Sequence, residues 1–424
     1  MSQIITDKKL IEEVLSRGVE KIYPSRGALE KKLLSGEKIK LYCGYDPTSP
    51  SLQVGNAVTL NKLAQFQALG HEIVFLIGDF TCMIGDPTDK KAVRFQMTRE
   101  EVLNNARDYQ KQAAAYLKFT GDNPVRLKYN SVWNDQLNFV DLIKLAANFT
   151  VQQMVQRDMF QKRIQEEKPI YLHEFLYPLV QAYDSVALDI DLEIGGNDQM
   201  FNMMCGRTLL KTLKNKEKFV MTLKLLADDE GKKMGKSEGN AVFFNEEPNN
   251  IYGQIMSWPD GAISTAFELC TNLPMSEIAK MMVSLKDKEL NPRDLKMKLA
   301  YELTRIIGGG EKKGAQAAQS AQEHFVNTIQ NKELPEMMDI YLTAKPRQFL
   351  VDLLVETKLV KSKTEGRQKI TEGAIKVKME KKMATNSSAM VVMKDVKQEL
   401  EFGSDIDSII IQKGKFNFVR VRLN

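Results

Sequence analysis

Cysteine and histidine are scarce in this chain of 424 residues, which has four of the first and three of the second. The cysteines (Cys43, Cys82, Cys205 and Cys270) stand at least 39 positions apart and make no C-x-x-C pair. That spacing excludes a zinc finger or ribbon and argues against a disulfide framework. No local signature supports a Cys–His nucleophile, so each cysteine reads as a small buried apolar residue. Long apolar runs are missing too. The best, Ile73 to Ile77, suits a buried strand and falls far short of the roughly 18 residues needed to span a membrane. The N-terminal segment lacks the apolar core of a signal peptide, so a cytoplasmic protein without membrane contact is expected. No G-x-G-x-x-G occurs, and Gly231 to Ser237 (GKKMGKS) is one residue short of a P-loop.

What is present is enough for a globular protein. Hydrophobic residues make up 43% and charged residues 27%, and the length suggests two or three domains of about 150 residues. The charge is uneven. Residues 345–424 hold 17 Lys and Arg against 10 Asp and Glu, while the first 344 residues hold 43 against 45. A basic tail on a near-neutral body points to a polyanion, although a solvated face gives the same composition.

Residues 8–35 read as helical. IKLYCGY (39–45) reads as a strand, followed by a helix with apolar residues at Leu60, Leu63, Ala64, Phe66 and Leu69 that closes at Gly70. EIVFLIG (72–78) completes a βαβ unit, which requires a parallel sheet. Residues 99–167 look mainly helical, 172–190 form an apolar-faced helix, and LEIGG (192–196) and FVMTLKLL (219–226) read as strands. A polar loop spans 227–240, residues 250–335 look all-helical, and Pro335 and Pro346 bracket a linker. In the tail, 346–360 reads as an amphipathic helix with Phe349, Leu350, Leu353 and Leu354 on one face. A second helix is capped by Ser362 and Glu365 and ended by Gly373. Three strands follow, the last carrying Val419, Val421 and Leu423 on one face and Arg420 and Arg422 on the other.

Three segments can carry chemistry. The loop Asp46 to Asn56 leaves the carboxyl end of the first strand, where parallel α/β sheets bind ligands. Gly55 lets a ligand approach the backbone, and the helix start near Asn56 favours phosphate oxygens. Lys233-Met234-Gly235-Lys236-Ser237 sets two lysines on a polar loop, where they could neutralise a polyphosphate as negative charge develops. Tyr177, Gln181 and Asp184 fall at i, i+4 and i+7 on one helix, presenting a phenol, an amide and a carboxylate together. Taken singly, these also read as an ordinary βα loop, a solvated basic loop and a polar helix face.

Together the motifs LYCGYDPT, IGDPT, YPLVQAYD, IGGNDQ and KMGKS run in the order and approximate spacing of one family. The chain resembles the bacterial tyrosyl-tRNA synthetases, class I aminoacyl-tRNA synthetases, from end to end. The resemblance implies an α/β fold. A catalytic domain over 1–238 would have a Rossmann-like parallel sheet and a helical insertion at about 110–170. An all-helical anticodon-side domain over 239–340 would follow, then a small α+β RNA-binding domain over 347–424 similar to the ribosomal S-four type.

It also implies roles. Tyr42 and Asp184 would bond the phenolic hydroxyl of L-tyrosine; Asp86, Tyr177 and Gln181 its ammonium group; Gln199 its carboxylate. Asp46 and Asp198, with Gly44, Gly55, Asn56 and Gly196, would hold the ATP ribose and adenine. Thr48 and Gln53 would meet the γ-phosphate, and Lys90, Arg94, Lys233 and Lys236 would stabilise departing pyrophosphate. Mg²⁺ would arrive with ATP, with no resident metal or tightly bound cofactor. The partners implied are tRNA(Tyr), tyrosine, ATP and a second copy of the chain.

One departure stands out. The family usually has histidine at both positions now held by Gln53 and Asn56. Side-chain amides also donate N–H, so the exchange would cost about 1 kcal/mol, a several-fold effect on rate. The competing reading is a paralogue that binds RNA and no longer activates an amino acid. A tryptophan enzyme of the same class is a lesser alternative, since Tyr42 and Asp184 suit a phenol better than an indole.

Overall fold

A computed structural model describes residues 3–87, 96–235, 239–330, 338–381, 390–403, 405–414 and 417–424. They fall into two compact units. One comprises Met1–Glu246 with Gln254–Ala315, and the other Glu247–Gly253 with Gln316–Asn424.

The first unit is built on a six-stranded sheet of β1 (Val19–Tyr23), β2 (Lys40–Tyr45), β3 (Glu72–Ile77), β4 (Arg126–Tyr129), β5 (Leu192–Gly196) and β6 (Phe219–Leu223). Their spatial order is β1-β6-β5-β2-β3-β4. All neighbours run parallel except β1, which lies antiparallel against β6. The order reverses at β2 and β5, a topological switch point where ligands gather at the carboxyl ends of parallel strands.

Alternation along β2 divides its side chains between two helices. Tyr45 donates or accepts a 2.9 Å hydrogen bond with Thr59 on the helix Val54–Ala68, whereas Tyr42 faces Ser185 on the helix Leu176–Leu188. The parallel pairing of β2 with β5 extends over only two residue pairs, Leu41 with Leu192 and Tyr42 with Glu193. Beyond them the strands part.

Several expectations need correction. The span 8–35 is helical only at Lys8–Ser16 and Arg26–Leu34, with β1 between them. Its polar, half-exposed sequence (VEKIY) hides an edge strand. Residues 99–167 are mainly helical, but they also supply the opposite edge strand, β4, whose alternate residues are exposed. Strand β6 stops at Leu223, short of the stretch to Leu226. Helices Pro248–Met256, Ala262–Cys270, Met275–Lys286, Pro292–Ile307 and Lys313–Phe325 occupy most of the predicted all-helical region. Residues 331–335 lie outside the described residues.

In the second unit, the supposed linker holds β7 (Asp339–Thr343), which pairs in parallel with the final strand β13 (Asn417–Leu423). The helix expected from Pro346 begins only at Leu350. Residues Arg347–Phe349 form a short strand β8, leaving Phe349 46% exposed while Gln348 is buried. After Gly373 the described residues form five strands rather than three: β9 (Ile375–Lys381), β10 (Val391–Met393), β11 (Glu399–Glu401), β12 (Ile406–Lys413) and β13. The short β10 and β11 escape a pattern search because three residues show no period. The core joins Leu350, Leu353 and Leu354 to Ile409, Ile411 and Val421. Ser362 caps the helix Lys363–Thr371 as expected, though Glu365 reaches back to the Lys361 N–H.

Candidate active site

The site begins with one exposed glycine. On the face of the sheet that carries Tyr42 and Glu193, the next residues along each strand are Gly44 and Gly195; Gly195 is buried, and a Cβ there would stand 3.0 Å from the Met203 sulfur. Gly44 is exposed although it sits on a central strand, and a Cβ there would meet nothing nearer than 4.0 Å. The floor beside it is closed by Tyr42, which clusters with Val74, Leu76 and Ile190.

The helix Leu176–Leu188 lines one wall. Tyr177, Gln181 and Asp184 do share its inward face, each tied to a different strand end or loop. Tyr177 donates to Asp46 Oδ2 at 2.8 Å, and Gln181 Nε2 donates to Glu193 Oε1 at 3.1 Å. Asp184 is 2% exposed and accepts from Trp133 Nε1 (2.7 Å), Asn130 Nδ2 (3.1 Å) and Asn134 Nδ2 (3.2 Å). Tyr42 bonds Ser185 Oγ at 3.1 Å and is fully buried.

Burial dominates the electrostatics. It lifts Asp184 to about 8 against the pull of its three donors, and Asp46 to about 7 against those of Thr81 and Tyr177. It also raises the phenols of Tyr42 and Tyr177, with Glu193 and Asp184 adding to the effect at Tyr42 and Asp46 at Tyr177. Asp46 can lie against the backbone only because residue 78 is glycine. A Cβ on Gly78 would stand 1.9 Å from Asp46 Oδ1.

The turn after β5 brings in the next groups. Gln199 Nε2 donates to Asp86 Oδ2 at 2.7 Å, and Arg157 approaches Asp86 Oδ1 at 3.8 Å. Lys233 Nζ pairs with Asp198 at 3.1 Å. The stretch around Lys233, read as a loose loop, is instead braced. Ala227 pairs with Lys233, Met234 N–H donates to Leu226 O at 2.8 Å, and Gly235 N–H donates to Asn240 Oδ1 at 2.7 Å.

That stretch meets the first motif at Gln53, which pairs with Phe243. A Cβ on Gly55 would lie 3.7 Å from Met234 O, and one on Gly235 would lie 3.6 Å from Gln53 Oε1. Among the described residues Gln53 Oε1 is buried without a hydrogen-bond partner, and Asn56 Oδ1 accepts the Gln53 N–H at 2.9 Å. The helix N-terminus is therefore capped in part by its own first turn.

Residues 34–327 match the family of class I tRNA synthetases for tryptophan and tyrosine (W and Y), and residues 330–421 match the SYY-like C-terminal domain of tyrosine–tRNA ligase. The tyrosine–tRNA ligase of Thermotoga maritima is 42% identical, covering 86% of this chain and 88% of that one. That of Haemophilus influenzae is 39% identical over 99% and 98% of the two chains. The chain belongs to the tyrosine–tRNA ligase family of class I tRNA synthetases.

Two solved members share the fold at low identity. The truncated mitochondrial tyrosyl-tRNA synthetase of Aspergillus nidulans gives a TM-score of 0.63 at 23% identity, covering 75% of this chain and 93% of that one. The tyrosyl-tRNA synthetase of Archaeoglobus fulgidus, complexed with L-tyrosine, gives 0.57 at 22% identity, covering 74% and 99%.

Of the groups expected from the sequence, Tyr177 bonds Asp46, Gln199 bonds Asp86 and Lys233 pairs with Asp198. Tyr42, Gly44 and Asp46 lie on or just after β2, Tyr177, Gln181 and Asp184 on the helix Leu176–Leu188, Gly196, Asp198 and Gln199 at the end of β5, and Gln53, Gly55 and Asn56 at the start of the helix Val54–Ala68. Thr48 sits in the β2 loop, where its N–H bonds Asp46 O at 2.8 Å. Lys90, Arg94 and Lys236 lie outside the described residues. The sequence reading missed Asn130, Trp133 and Asn134, which hold Asp184, and Thr81, which holds Asp46. It also missed Ser185, Glu193, Lys218 and Arg157. An Asn and a Trp just after a short, half-exposed edge strand give no period to find. A Glu in the middle of a central strand (LEIGG) was the one available signal.

Proposed function

We propose that this chain activates L-tyrosine with ATP and transfers the tyrosyl group to the 3′ end of tRNA(Tyr). The observation that carries the reading is the convergence of Tyr42, Gln181 and Asp184 beside the exposed Gly44 at the sheet's switch point. A free amino acid entering there meets acceptors for a hydroxyl at one end and for an ammonium at the other. Phenylalanine brings no hydroxyl to the polar groups at that end, so it forfeits a bond that tyrosine would make.

The chemistry needs alignment more than an enzyme nucleophile. The substrate carboxylate attacks the α-phosphorus of ATP, forming tyrosyl-adenylate as the bond to pyrophosphate breaks. In this proposal Asp46 and Asp198, with Gly44, Gly55, Asn56 and Gly196, take the nucleoside, and Thr48 and Gln53 meet the γ-phosphate. Lys233, with Lys236, Lys90 and Arg94, neutralises the charge that grows on pyrophosphate. Gln53 would meet the phosphate through its NH₂, since its carbonyl oxygen can only accept.

Among the described residues no three His, Cys, Asp or Glu side chains converge to cage a metal. Mg²⁺ would come held by the triphosphate oxygens, supplying charge neutralisation there. The modules 1–238, 239–340 and 347–424 would divide activation, anticodon-side and basic RNA contacts. A second copy fits the exposed Phe139 (76%), Val140 (58%) and Ile143 (53%), which stand together on the helix Phe139–Ala146 and favour a homodimer. No helix among the described residues is long and apolar enough to cross a membrane.

The test is charging of tRNA(Tyr) with tyrosine, phenylalanine and tryptophan in parallel. Tyrosine alone should be attached; attachment of tryptophan would move the reading to the other branch of the family.

A further inference from the structure

A buried ion pair beneath the hollow has no part in the reaction as written. Lys218 is fully buried and Glu193 is 2% exposed. Lys218 Nζ donates to the Glu193 carboxylate, to Ser185 Oγ at 2.8 Å and to Met203 O at 3.0 Å, which uses its three protons. The helix Met200–Lys214 makes room for it with a mid-helix glycine. A Cβ on Gly206 would stand 2.4 Å from Lys218 Nζ and 2.7 Å from Ser185 Oγ. Both the pair and that glycine cost stability compared with a well-packed apolar core.

The other face of Glu193 shows a purpose. Its Oε1 accepts Gln181 Nε2 at 3.1 Å, while Oε2 is held by Lys218 and lies 3.4 Å from Ser185 Oγ. Whichever of the two groups holds the shared proton, that proton lies between Oε2 and Nζ, so Oε1 remains an acceptor. Gln181 must then turn its NH₂ toward Glu193 and its carbonyl the other way. Gln181 Oε1 is buried and has no hydrogen-bond partner among the described residues. An amide with one end locked and an acceptor left open is ready for a donor supplied by a ligand.

We propose that the Glu193–Lys218 pair is a positioning device. It fixes the amide of Gln181 so that Oε1 accepts from the ammonium group of the amino-acid substrate. The idea rests on the tyrosine-site reading above and adds to it two residues that touch no substrate. Without an obligate acceptor at position 193, the Gln181 amide could turn over and present NH₂ to a cation.

The test uses the full chain with Glu193→Gln and with the charge-neutral double variant Glu193→Gln/Lys218→Met, both checked for a wild-type melting profile. Binding of L-tyrosine is compared with binding of 3-(4-hydroxyphenyl)propanoate, which lacks only the ammonium group. Tyrosine binding should weaken about tenfold in the variants while the propanoate stays within about twofold of wild type. Equal weakening of both ligands, or no change in either, would overturn the positioning role. The wild-type chain checks the reading beneath it: it should prefer tyrosine to the propanoate, and failure to bind tyrosine would remove the site itself.

Discussion

Among the described residues, buried charged side chains occur in the first of the two units and not in the second. In the first, Asp184, Glu193 and Lys218 are 2% exposed or less, and every one has fixed partners. In the second, Lys363 pairs with Asp352 across side chains that are 59% and 32% exposed, and Arg347 pairs with Glu399 at 66% and 30%. A buried charge must be met by particular donors or acceptors, so it fixes direction and shape. Exposed charges contribute little pair by pair and act through their summed field, which salt weakens. That difference supports the proposal that the first unit recognises a small molecule atom by atom and the second meets a polyanion.

That contrast can be broken experimentally. The largest effect should come from Lys233→Ala, which removes a cation from the pyrophosphate side. Tyrosine-dependent exchange should fall by about two orders of magnitude, with tyrosine binding within about twofold of wild type. Stopped-flow adenylate formation measures the first and equilibrium dialysis the second.

Next comes Asp184→Asn, which keeps the shape and removes the carboxylate. Preference for tyrosine over phenylalanine should fall by about 10- to 100-fold, read from exchange kinetics with each amino acid. The same variant carries a pH signature. Burial raises Asp46 to about 7 and Asp184 to about 8, so the folded chain holds these protons more tightly than the unfolded chain. Their contribution to stability is therefore full below about pH 4 and is lost as pH rises through about 7 and 8, and Asp184→Asn should flatten the upper part of that decline in denaturant titrations.

A smaller effect is expected in the basic tail. Lys361, Lys363 and Arg367 are exposed at the start of the helix Lys363–Thr371. Changing all three to alanine should lower tRNA charging about tenfold at subsaturating tRNA and flatten its salt dependence, leaving exchange unchanged. Equal loss of exchange would erase the division between the units. The smallest effect is the pair Gln53→His and Asn56→His, which should raise the activation rate only several-fold.

The parts of the fold legible in the sequence were those with a period. The β2–helix–β3 unit, the helix Leu176–Leu188 and the turn after β5 carry runs long enough to show their faces. Edge strands β1 and β4 and the three-residue β8, β10 and β11 do not. The groups proposed for tyrosine and the nucleotide were picked out by five motifs that run in one order. What holds them was not. Trp133 and the two asparagines meet Asp184 from about 50 residues away, and Lys218 meets Glu193 across 25 positions, distances at which no local pattern links partners.

ATP–pyrophosphate exchange driven by L-tyrosine, run on the full chain without tRNA, tests the central claim most directly. The account predicts exchange with tyrosine and almost none with phenylalanine or tryptophan. A chain that binds tRNA(Tyr) but shows no exchange with any amino acid would contradict it, leaving an RNA-binding relative that has kept the fold and lost the reaction.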